Sequence, residues 1–248
     1  MAKEIMIFQR VEKKYLLSPE QHRMLLSLIG HRLEPDKHGR STICSLYLDT
    51  PDYRLIRASI DAKAYKDSVY KEKLRLRSYG TPTDDSKVFL EIKKKFKGVV
   101  YKRRVSMKLS EAMRYISGGD PPFDSQIMRE IDYAMHFYNH PTPKAMLCYE
   151  RDAYYVREDS KYRITFDSNV RYRNFDLDPT LGSEGKIIQP TNTILMEIKT
   201  DGGMPLWLAS ALTQCGIYPA TFSKYGTAYE DISRQKTQIH TKGVLIHA

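Results

Sequence analysis

Apolar and polar residues alternate in short segments through most of the chain, from residue 6 to residue 199. A period of two is typical of β-strands that bury one face, and turn-rich stretches at 79–87 and 176–185 separate the segments. About eight segments fit this pattern, which is the number of strands that closes a small barrel. The sequence therefore predicts an antiparallel β protein, as a single domain over residues 1–248.

Four segments have a helical pattern instead. Ser18 to Ile29 has an N-cap residue in Ser18 and a proline at its first helical position, Pro19. Two more helices are predicted at residues 110–116 and 124–138. The fourth, at residues 206–215, is followed by Gly216, as expected of a helix C-cap.

The strand pattern places basic residues together, because alternate residues of a strand point to opposite faces of its sheet. Four basic residues share one face of a single segment: Lys71, Lys73, Arg75 and Arg77. Leu74 and Leu76 lie on the opposite face. The same division between a charged and an apolar face recurs at residues 91–95, 102–108, 163–167 and 197–199. Five strands therefore carry a mainly cationic face.

Two arrangements account for these faces. An open sheet or sandwich would expose them to water, but a solvated face usually mixes charges of both signs. The alternative, which we favour, is an α+β fold in which a closed antiparallel β-barrel turns its basic side chains inward and the four helices cover its apolar exterior. An extended anion inside such a tunnel would accept charge-assisted hydrogen bonds from every wall.

Composition supports a polyanionic partner. The chain has 40 Lys and Arg against 30 Asp and Glu, a formal charge of +10, which favours nucleic acid, polyphosphate or a membrane surface. Its three cysteines are widely separated and fit neither a zinc site nor a disulfide framework, so we expect a reducing, cytoplasmic environment. We find no signal-peptide pattern and no apolar run of the roughly 20 residues that a membrane span needs.

Eight short motifs follow one another between residues 10 and 225. They are RVEKKY (10–15), YLDT (47–50), KLRLR (73–77), EIKK (91–94), YER (149–151), RITFD (163–167), MEIK (196–199) and FSKY (222–225). In this order they resemble the polyphosphate polymerase domain of the vacuolar transporter chaperone (VTC) family, within the triphosphate tunnel (CYTH-like) superfamily, and indicate a stand-alone bacterial member. Arg10 replaces the first Glu of the Glu-x-Glu-x-Lys signature of the adenylate cyclase and thiamine triphosphatase branch, which argues against that branch.

The resemblance implies a set of functional residues. The basic residues that would hold ATP and the growing chain are Lys14, Arg75, Arg77, Lys93, Lys102, Arg151, Arg163 and Lys224. Tyr149 and Ser223 would donate hydrogen bonds to phosphate oxygens, and Glu197 would hold Mn²⁺ or Mg²⁺. Arg104 and Lys199 are added as substrate-binding residues because they share the faces of these strands. Glu197 has an alternative interpretation as an ion-pair partner of Lys199 or of a neighbouring arginine.

The function that follows is transfer of the γ-phosphate of ATP to the end of an inorganic polyphosphate chain, with release of ADP. ATP and polyphosphate are the expected partners; nucleic acid is not expected, and a membrane partner protein is left open. Two alternatives remain at this point. The same site would act as a triphosphatase if it admitted water, and a non-catalytic module could bind polyphosphate or nucleic acid through residues 93–97 and 102–104.

Overall fold

The architecture is an antiparallel sheet of ten strands with six α-helices packed against it, within the residues that the computed structural model describes. These residues are 11–37, 39–60, 70–96, 99–200 and 202–244, with side chains described as far as residue 235. Three features of the sequence analysis fall outside these ranges, wholly or in part. Arg10 and Lys97 are not among the described residues, and the pattern predicted to begin at residue 6 is described only from residue 11. The predicted α+β class and antiparallel sheet are confirmed.

The ten strands follow one another along the chain with few long connections. They are β1 (Val11–Leu17), β2 (Leu33–Pro35), β3 (Ser41–Asp49), β4 (Tyr70–Tyr79), β5 (Lys87–Phe96), β6 (Val99–Lys108), β7 (Thr142–Val156), β8 (Asp159–Arg173), β9 (Lys186–Ile187) and β10 (Ile194–Thr200). Eight of them form a continuous sheet in the order β1-β10-β8-β7-β3-β4-β5-β6. The short strands β2 and β9 pair with β7 and β8 beside this path.

Closure of the predicted barrel is not confirmed. A closed barrel needs a hydrogen-bonded ladder between its end strands, whereas in the described part of the chain β1 pairs with β10 and β6 pairs with β5. Side chains nevertheless meet across the gap: Lys93 Nζ on β5 lies 3.6 Å from Glu12 Oε2 on β1. The sheet is therefore curled so that its two ends approach through side chains, without a ladder between them.

All four predicted helices are present, and two more were missed. The helices are α1 (Pro19–Ile29), α2 (Arg54–Ile60), α3 (Leu109–Ile116), α4 (Gln126–Phe137), α5 (Leu206–Gln214) and α6 (Lys224–Val244). The Ser18 side chain accepts a hydrogen bond from the Gln21 amide, and the Gln21 side chain accepts one from the Ser18 amide, which forms a capping box. Gly216, with φ of 61°, ends α5 in a Schellman motif, because the amides of Gly216 and Ile217 donate to the carbonyls of Thr213 and Leu212.

The two missed helices depend on contacts that local sequence does not display. Asp49 at the end of β3 accepts hydrogen bonds from the amides of Leu55 and Ile56 in the first turn of α2. In α6, a narrow stripe of buried residues consists of Tyr225, Ala228 and Ile232, and the rest of the helix is largely polar. Short length in α2 and weak amphipathicity in α6 explain why periodicity alone missed them.

Most of the hydrophobic core lies on the convex side of the curled sheet, while a smaller cluster that includes Tyr47 and Leu147 packs on the other face against α6. Leu74, Leu90 and Ile92 are fully buried beneath Met128 and Ile131 of α4. A second cluster joins Ile164 and Met196 of the sheet to Leu25 of α1 and Leu208 of α5. The apolar face of each strand thus packs under helices, as predicted, and the charged faces are left to line the concave side.

A basic cavity in the concave face of the sheet

A cavity of about 370 Å³ lies between the concave face of the sheet and the N-terminal end of α6. Twelve Lys or Arg residues and three carboxylates line it. All thirteen residues that the sequence nominated are among its lining residues: Lys14, Arg75, Arg77, Lys93, Lys102, Arg104, Tyr149, Arg151, Arg163, Glu197, Lys199, Ser223 and Lys224. The structure brings them together, while their individual roles remain predictions.

Strand register explains this convergence on the β4–β5–β6 wall. Arg75 pairs with Glu91, which in turn pairs with Arg104. In the next inward-facing row, Lys73 pairs with Lys93 and Lys93 with Lys102. Directly paired residues share a face, so these two rows place five basic side chains next to one another. They are Lys73, Arg75, Lys93, Lys102 and Arg104.

Glu91, in the same inward-facing row as Arg75 and Arg104, neutralises part of this wall. It is 1% exposed and does not line the cavity itself. Arg75 Nε donates to its Oε2 at 2.8 Å, and Lys102 Nζ lies 2.5 Å from its Oε1. Burial opposes ionisation of Glu91, but Arg75, Arg77 and Lys102 together lower its pKa to about 2. The carboxylate is therefore ionised at neutral pH, and its single negative charge offsets part of the positive charge of these cations.

A second network, on β7, β8 and β10, contains Asp167 and Glu197. Arg151 donates two hydrogen bonds to the Asp167 carboxylate, at 2.6 and 2.7 Å, and Lys224 Nζ lies 2.6 Å from Asp167 Oδ2. Glu197 Oε1 lies 3.2 Å from Lys224 Nζ, and its Oε2 lies 3.0 Å from Lys199 Nζ. Although burial opposes both shifts, the surrounding cations hold the pKa of Asp167 and of Glu197 below their ordinary values.

Glu197 accordingly has the ion-pair contacts of its alternative interpretation. Besides Lys199 and Lys224, Arg151 Nη2 lies 3.5 Å and Lys14 Nζ 3.7 Å from its carboxylate. Although burial opposes the shift, Glu197 and Asp167 raise the pKa of Lys224 above its ordinary value. The predicted metal role of Glu197 stays a prediction.

Other cations in the cavity have weaker protein partners. Arg77 is 8% exposed, yet its hydrogen bonds to Ser45 Oγ and the Tyr149 hydroxyl are 3.4 and 3.5 Å long. Lys73 Nζ donates to Ser223 Oγ at 3.3 Å, and burial together with the charges of Lys93 and Lys14 lowers the pKa of Lys73 to about 8. These side chains keep donor capacity that an anion in the cavity could use.

The pKa of the Lys102 ammonium is strongly lowered. Burial, together with Arg75 and Arg77, lowers the pKa of Lys102 to about 7, although Glu91 raises it. Burial also lowers the pKa of Lys93 and of Lys199. Crowding of cations in a partly desolvated space is the physical cause, and a bound polyanion would remove it.

The two predicted hydrogen-bonding residues have structural contacts as well. The ring of Tyr149 lies 4.5 Å from Lys224 Nζ and 5.1 Å from the guanidinium carbon of Arg151. Ser223 Oγ accepts a hydrogen bond from the Gly226 amide in the first turn of α6. A methyl group at Gly226 would lie 2.9 Å from that oxygen, so glycine permits the close approach. Tyr149 therefore packs against Lys224 and Arg151, and Ser223 caps the first turn of α6.

Arg163 and Arg104 are anchored by other groups. Arg163 Nη2 donates to Asp36 Oδ2 at 2.6 Å, and its guanidinium lies over the ring of Tyr155. The guanidinium carbon of Arg104 lies 4.7 Å from the centre of the Phe89 ring. Stacking and pairing restrict both side chains while leaving them on the cavity wall.

Sequence reasoning missed several cavity residues. Lys73 shared a face with Arg75, and Glu12 and Tyr47 belonged to quoted motifs, so a signal for each was available. Asp36 directly follows β2 and belongs to none of the quoted motifs, so the sequence did not indicate it. Tyr47 accepts a hydrogen bond from Arg75 at 3.0 Å; burial opposes its ionisation, but Arg75, Lys73 and Arg77 lower its pKa to about 8.

The donor set bears on the expected metal. The described residues contain no group of three or more His, Cys, Asp or Glu side chains that could enclose a metal ion. Glu197 lines the cavity and is ionised, which fits a divalent cation held by one carboxylate together with phosphate oxygens and water.

Among the described residues, none of the helices combines the length and the apolar character that crossing a membrane requires.

Comparisons with known proteins agree with this geometry. A protein from Bacillus halodurans described as a proposed adenylate cyclase has a similar fold, with a TM-score of 0.54 at 12% identity over 88% of this chain and 96% of its own. A proposed adenylyl cyclase from Hippeastrum, for which a dominant triphosphatase activity is described, has a TM-score of 0.52 at 16% identity over 90% and 96% of the two chains. These likenesses show the fold alone.

Sequence comparison gives the family. No curated protein matches the chain. The family model of the VTC domain, however, matches residues 9–232, which is most of the sequence and includes every residue lining the cavity. The chain therefore belongs to the VTC domain family, with the triphosphate tunnel fold.

Proposed function

We propose that this protein is a polyphosphate polymerase that transfers the γ-phosphate of ATP to the end of an inorganic polyphosphate chain. The observation that carries the proposal is the composition of the cavity, where twelve Lys or Arg residues face three carboxylates. Such an excess of positive charge suits a ligand with many negative charges along its length. Its free cysteines fit a reaction in the cytoplasm, where ATP is the donor.

Phosphoryl transfer does not require the protein to form a covalent intermediate. In phosphoryl transfer the protein aligns donor and acceptor and stabilises negative charge on the equatorial oxygens. Arg75, Arg77 and Arg151 offer guanidinium donors that can bind phosphate oxygens in pairs, and Lys73, Lys102 and Lys224 add point charges. The terminal oxygen of polyphosphate is already anionic, so the acceptor needs no base to remove a proton.

Glu197 would hold the divalent metal, Mn²⁺ or Mg²⁺. When bound, the metal would supply positive charge that offsets the negative charge developing on the transferred phosphoryl group. Lys199, which now contacts Glu197, would then be free to turn its ammonium group toward the phosphates, whereas Lys224 would stay paired with Asp167.

Product analysis tests the proposal. The protein is incubated with ATP and MnCl₂, ADP is measured, and the product is separated on a polyacrylamide gel before and after treatment with an exopolyphosphatase. We expect ADP release together with a ladder or smear that the exopolyphosphatase removes. The Arg75→Ala, Arg77→Ala double variant should lose both signals, while Arg23→Ala, which removes an exposed arginine on α1, should keep them.

Two other results would assign another function. Release of inorganic phosphate from ATP or tripolyphosphate without a polymer would indicate a triphosphatase, the activity described for the Hippeastrum protein of similar fold. Tight binding of polyphosphate without any nucleotide turnover would indicate a non-catalytic binding module.

A further inference from the structure

Two buried carboxylates lie on the cavity side of the sheet, each paired in register with a basic residue of the cavity wall, but are not themselves among the lining residues. Glu91 is 1% exposed and Asp167 is 0% exposed. Glu91 holds Arg75 at 2.8 Å and Lys102 at 2.5 Å. Asp167 holds Arg151 through two hydrogen bonds, at 2.6 and 2.7 Å, and Lys224 at 2.6 Å. Each carboxylate thus holds one arginine and one lysine, and all four of these cations line the cavity.

The two groups belong to different parts of the sheet. Glu91 lies on β5 and Asp167 on β8, and three strands, β7, β3 and β4, separate these in the sheet order. Lys102 reaches Glu91 from β6, whereas Lys224 reaches Asp167 from the start of α6. No residue of one group contacts the carboxylate of the other within the described part of the chain.

These contacts restrict the long side chains before any ligand binds. An unrestrained arginine or lysine loses rotamer freedom when it binds a phosphate, and that loss opposes binding. A side chain that is already fixed by a buried carboxylate loses less. Each guanidinium has five N–H donors, more than its carboxylate accepts, and both arginines line the cavity, so donors remain for a phosphate.

We propose that Glu91 and Asp167 are positioning residues that fix two separate phosphate subsites, one formed by Arg75 and Lys102 and the other by Arg151 and Lys224. The inference rests on the proposed function in that both subsites receive phosphates, one set from the donor and one from the acceptor. It goes further in assigning two anchored subsites on separate parts of the sheet and the acidic residue that organises each.

A simple charge argument makes the opposite prediction, so the two can be separated. Removing a negative charge beneath a cationic cavity would strengthen attraction for phosphate if only net charge mattered. If positioning matters more, the same removal weakens binding because the paired cations lose their fixed geometry. The sign of the change in affinity therefore decides between them.

The test measures tripolyphosphate affinity by calorimetry in metal-free buffer for Glu91→Gln and Asp167→Asn. Positioning predicts that each variant binds about tenfold more weakly. Glu12→Gln is the matched control, because Glu12 lines the cavity and has only longer ion pairs among its described contacts, at 3.6 and 3.7 Å. Glu12→Gln should bind equally or more tightly, and the same response from Glu91→Gln or Asp167→Asn would overturn the proposal.

A double-mutant cycle tests whether each carboxylate acts through its own cations. Glu91→Gln should cause little further loss once Arg75 is replaced by Ala, and Asp167→Asn little further loss once Arg151 is replaced. The combined Glu91→Gln, Asp167→Asn variant should lose affinity by the product of the two single effects, since the subsites are separate. Two results would refute the assignment. One is a carboxylate substitution that still causes its full affinity loss after its arginine has been replaced. The other is a combined variant whose affinity loss differs strongly from the product of the two single losses.

Thermal unfolding of each variant checks that it is folded, and an aspartate substitution provides a second variant at Glu91. If Glu91→Gln does not fold, Glu91→Asp retains the charge and removes one methylene of reach; positioning predicts weaker binding, and a charge effect alone predicts none. All of these measurements use binding without turnover. The binding result is therefore independent of the polymerase assay. If that assay fails, the two-subsite inference can still hold; if polymer is made but both variants bind tripolyphosphate with unchanged affinity, the inference is wrong.

Discussion

Replacement of Arg77 by Ala should weaken phosphate binding with little effect on folding. The hydrogen bonds that Arg77 makes to protein groups are 3.4 and 3.5 Å long, and its nearest carboxylate oxygen, on Glu91, lies 4.0 Å away. Little protein stabilisation is lost with its guanidinium, whereas a phosphate would take charge-assisted hydrogen bonds worth about 1.5–3 kcal/mol. Because each 1.4 kcal/mol is about a tenfold change in affinity, binding should weaken by roughly ten- to a hundredfold.

The assay is calorimetric titration with tripolyphosphate, run beside thermal unfolding of each variant. Arg77→Lys keeps the charge but not the two-pronged geometry, so it should recover part of the affinity. Arg75→Ala provides a contrast, since Arg75 is paired with Glu91 and Tyr47, and its loss should lower both affinity and the unfolding temperature.

Unchanged affinity in a folded Arg77→Ala variant would refute the reasoning. It would mean that phosphates do not reach this row of β4, and the cavity contacts of Arg77 would then be structural. An affinity loss matched by an equally large loss of stability would also refute it, because the long protein contacts of Arg77 would then have to be strong.

Three further predictions concern metal, pH and folding. Glu197→Gln should abolish Mn²⁺-dependent ADP release while metal-free tripolyphosphate binding persists or tightens, because it removes a carboxylate from a cationic cavity; near-normal turnover would leave Glu197 a structural ion-pair partner. Affinity for tripolyphosphate should fall as the pH rises from 6 to 9, since Lys102, of pKa about 7, and Lys73, of pKa about 8, lose positive charge in the free protein. Ionisation of Tyr47, of pKa about 8, adds negative charge to the cavity over the same range. Titration of the Lys73→Met, Lys102→Met double variant should give a flatter profile, and an equally steep one would assign the effect elsewhere. Ser18→Ala should lower the free energy of unfolding in urea by about 1 kcal/mol, through loss of the α1 capping box, and leave tripolyphosphate affinity unchanged.

The sequence determined which side chains share a face and where several helices begin and end. Arg75 and Arg77 face away from Leu74 and Leu76 in any strand, because alternation follows from backbone geometry and needs no knowledge of the neighbours. The cap of α1 at Ser18 is equally local, since its partner lies three residues away. Motif order added the family, and with it the expectation that the basic faces converge.

Tertiary structure alone decided which of these faces meet and how their charges are paired. Asp167 and Lys224 are 57 positions apart, and the first turn of α6, which sequence periodicity did not reveal, brings the ammonium to 2.6 Å from the carboxylate. The four cations around Glu197 come from β1, β7, β10 and α6. Closure, too, depends on how far the curled sheet brings β1 toward β5 and β6. Strand order, register and curl arise from packing between segments distant in the chain, and a residue's own neighbours in sequence carry no record of that packing.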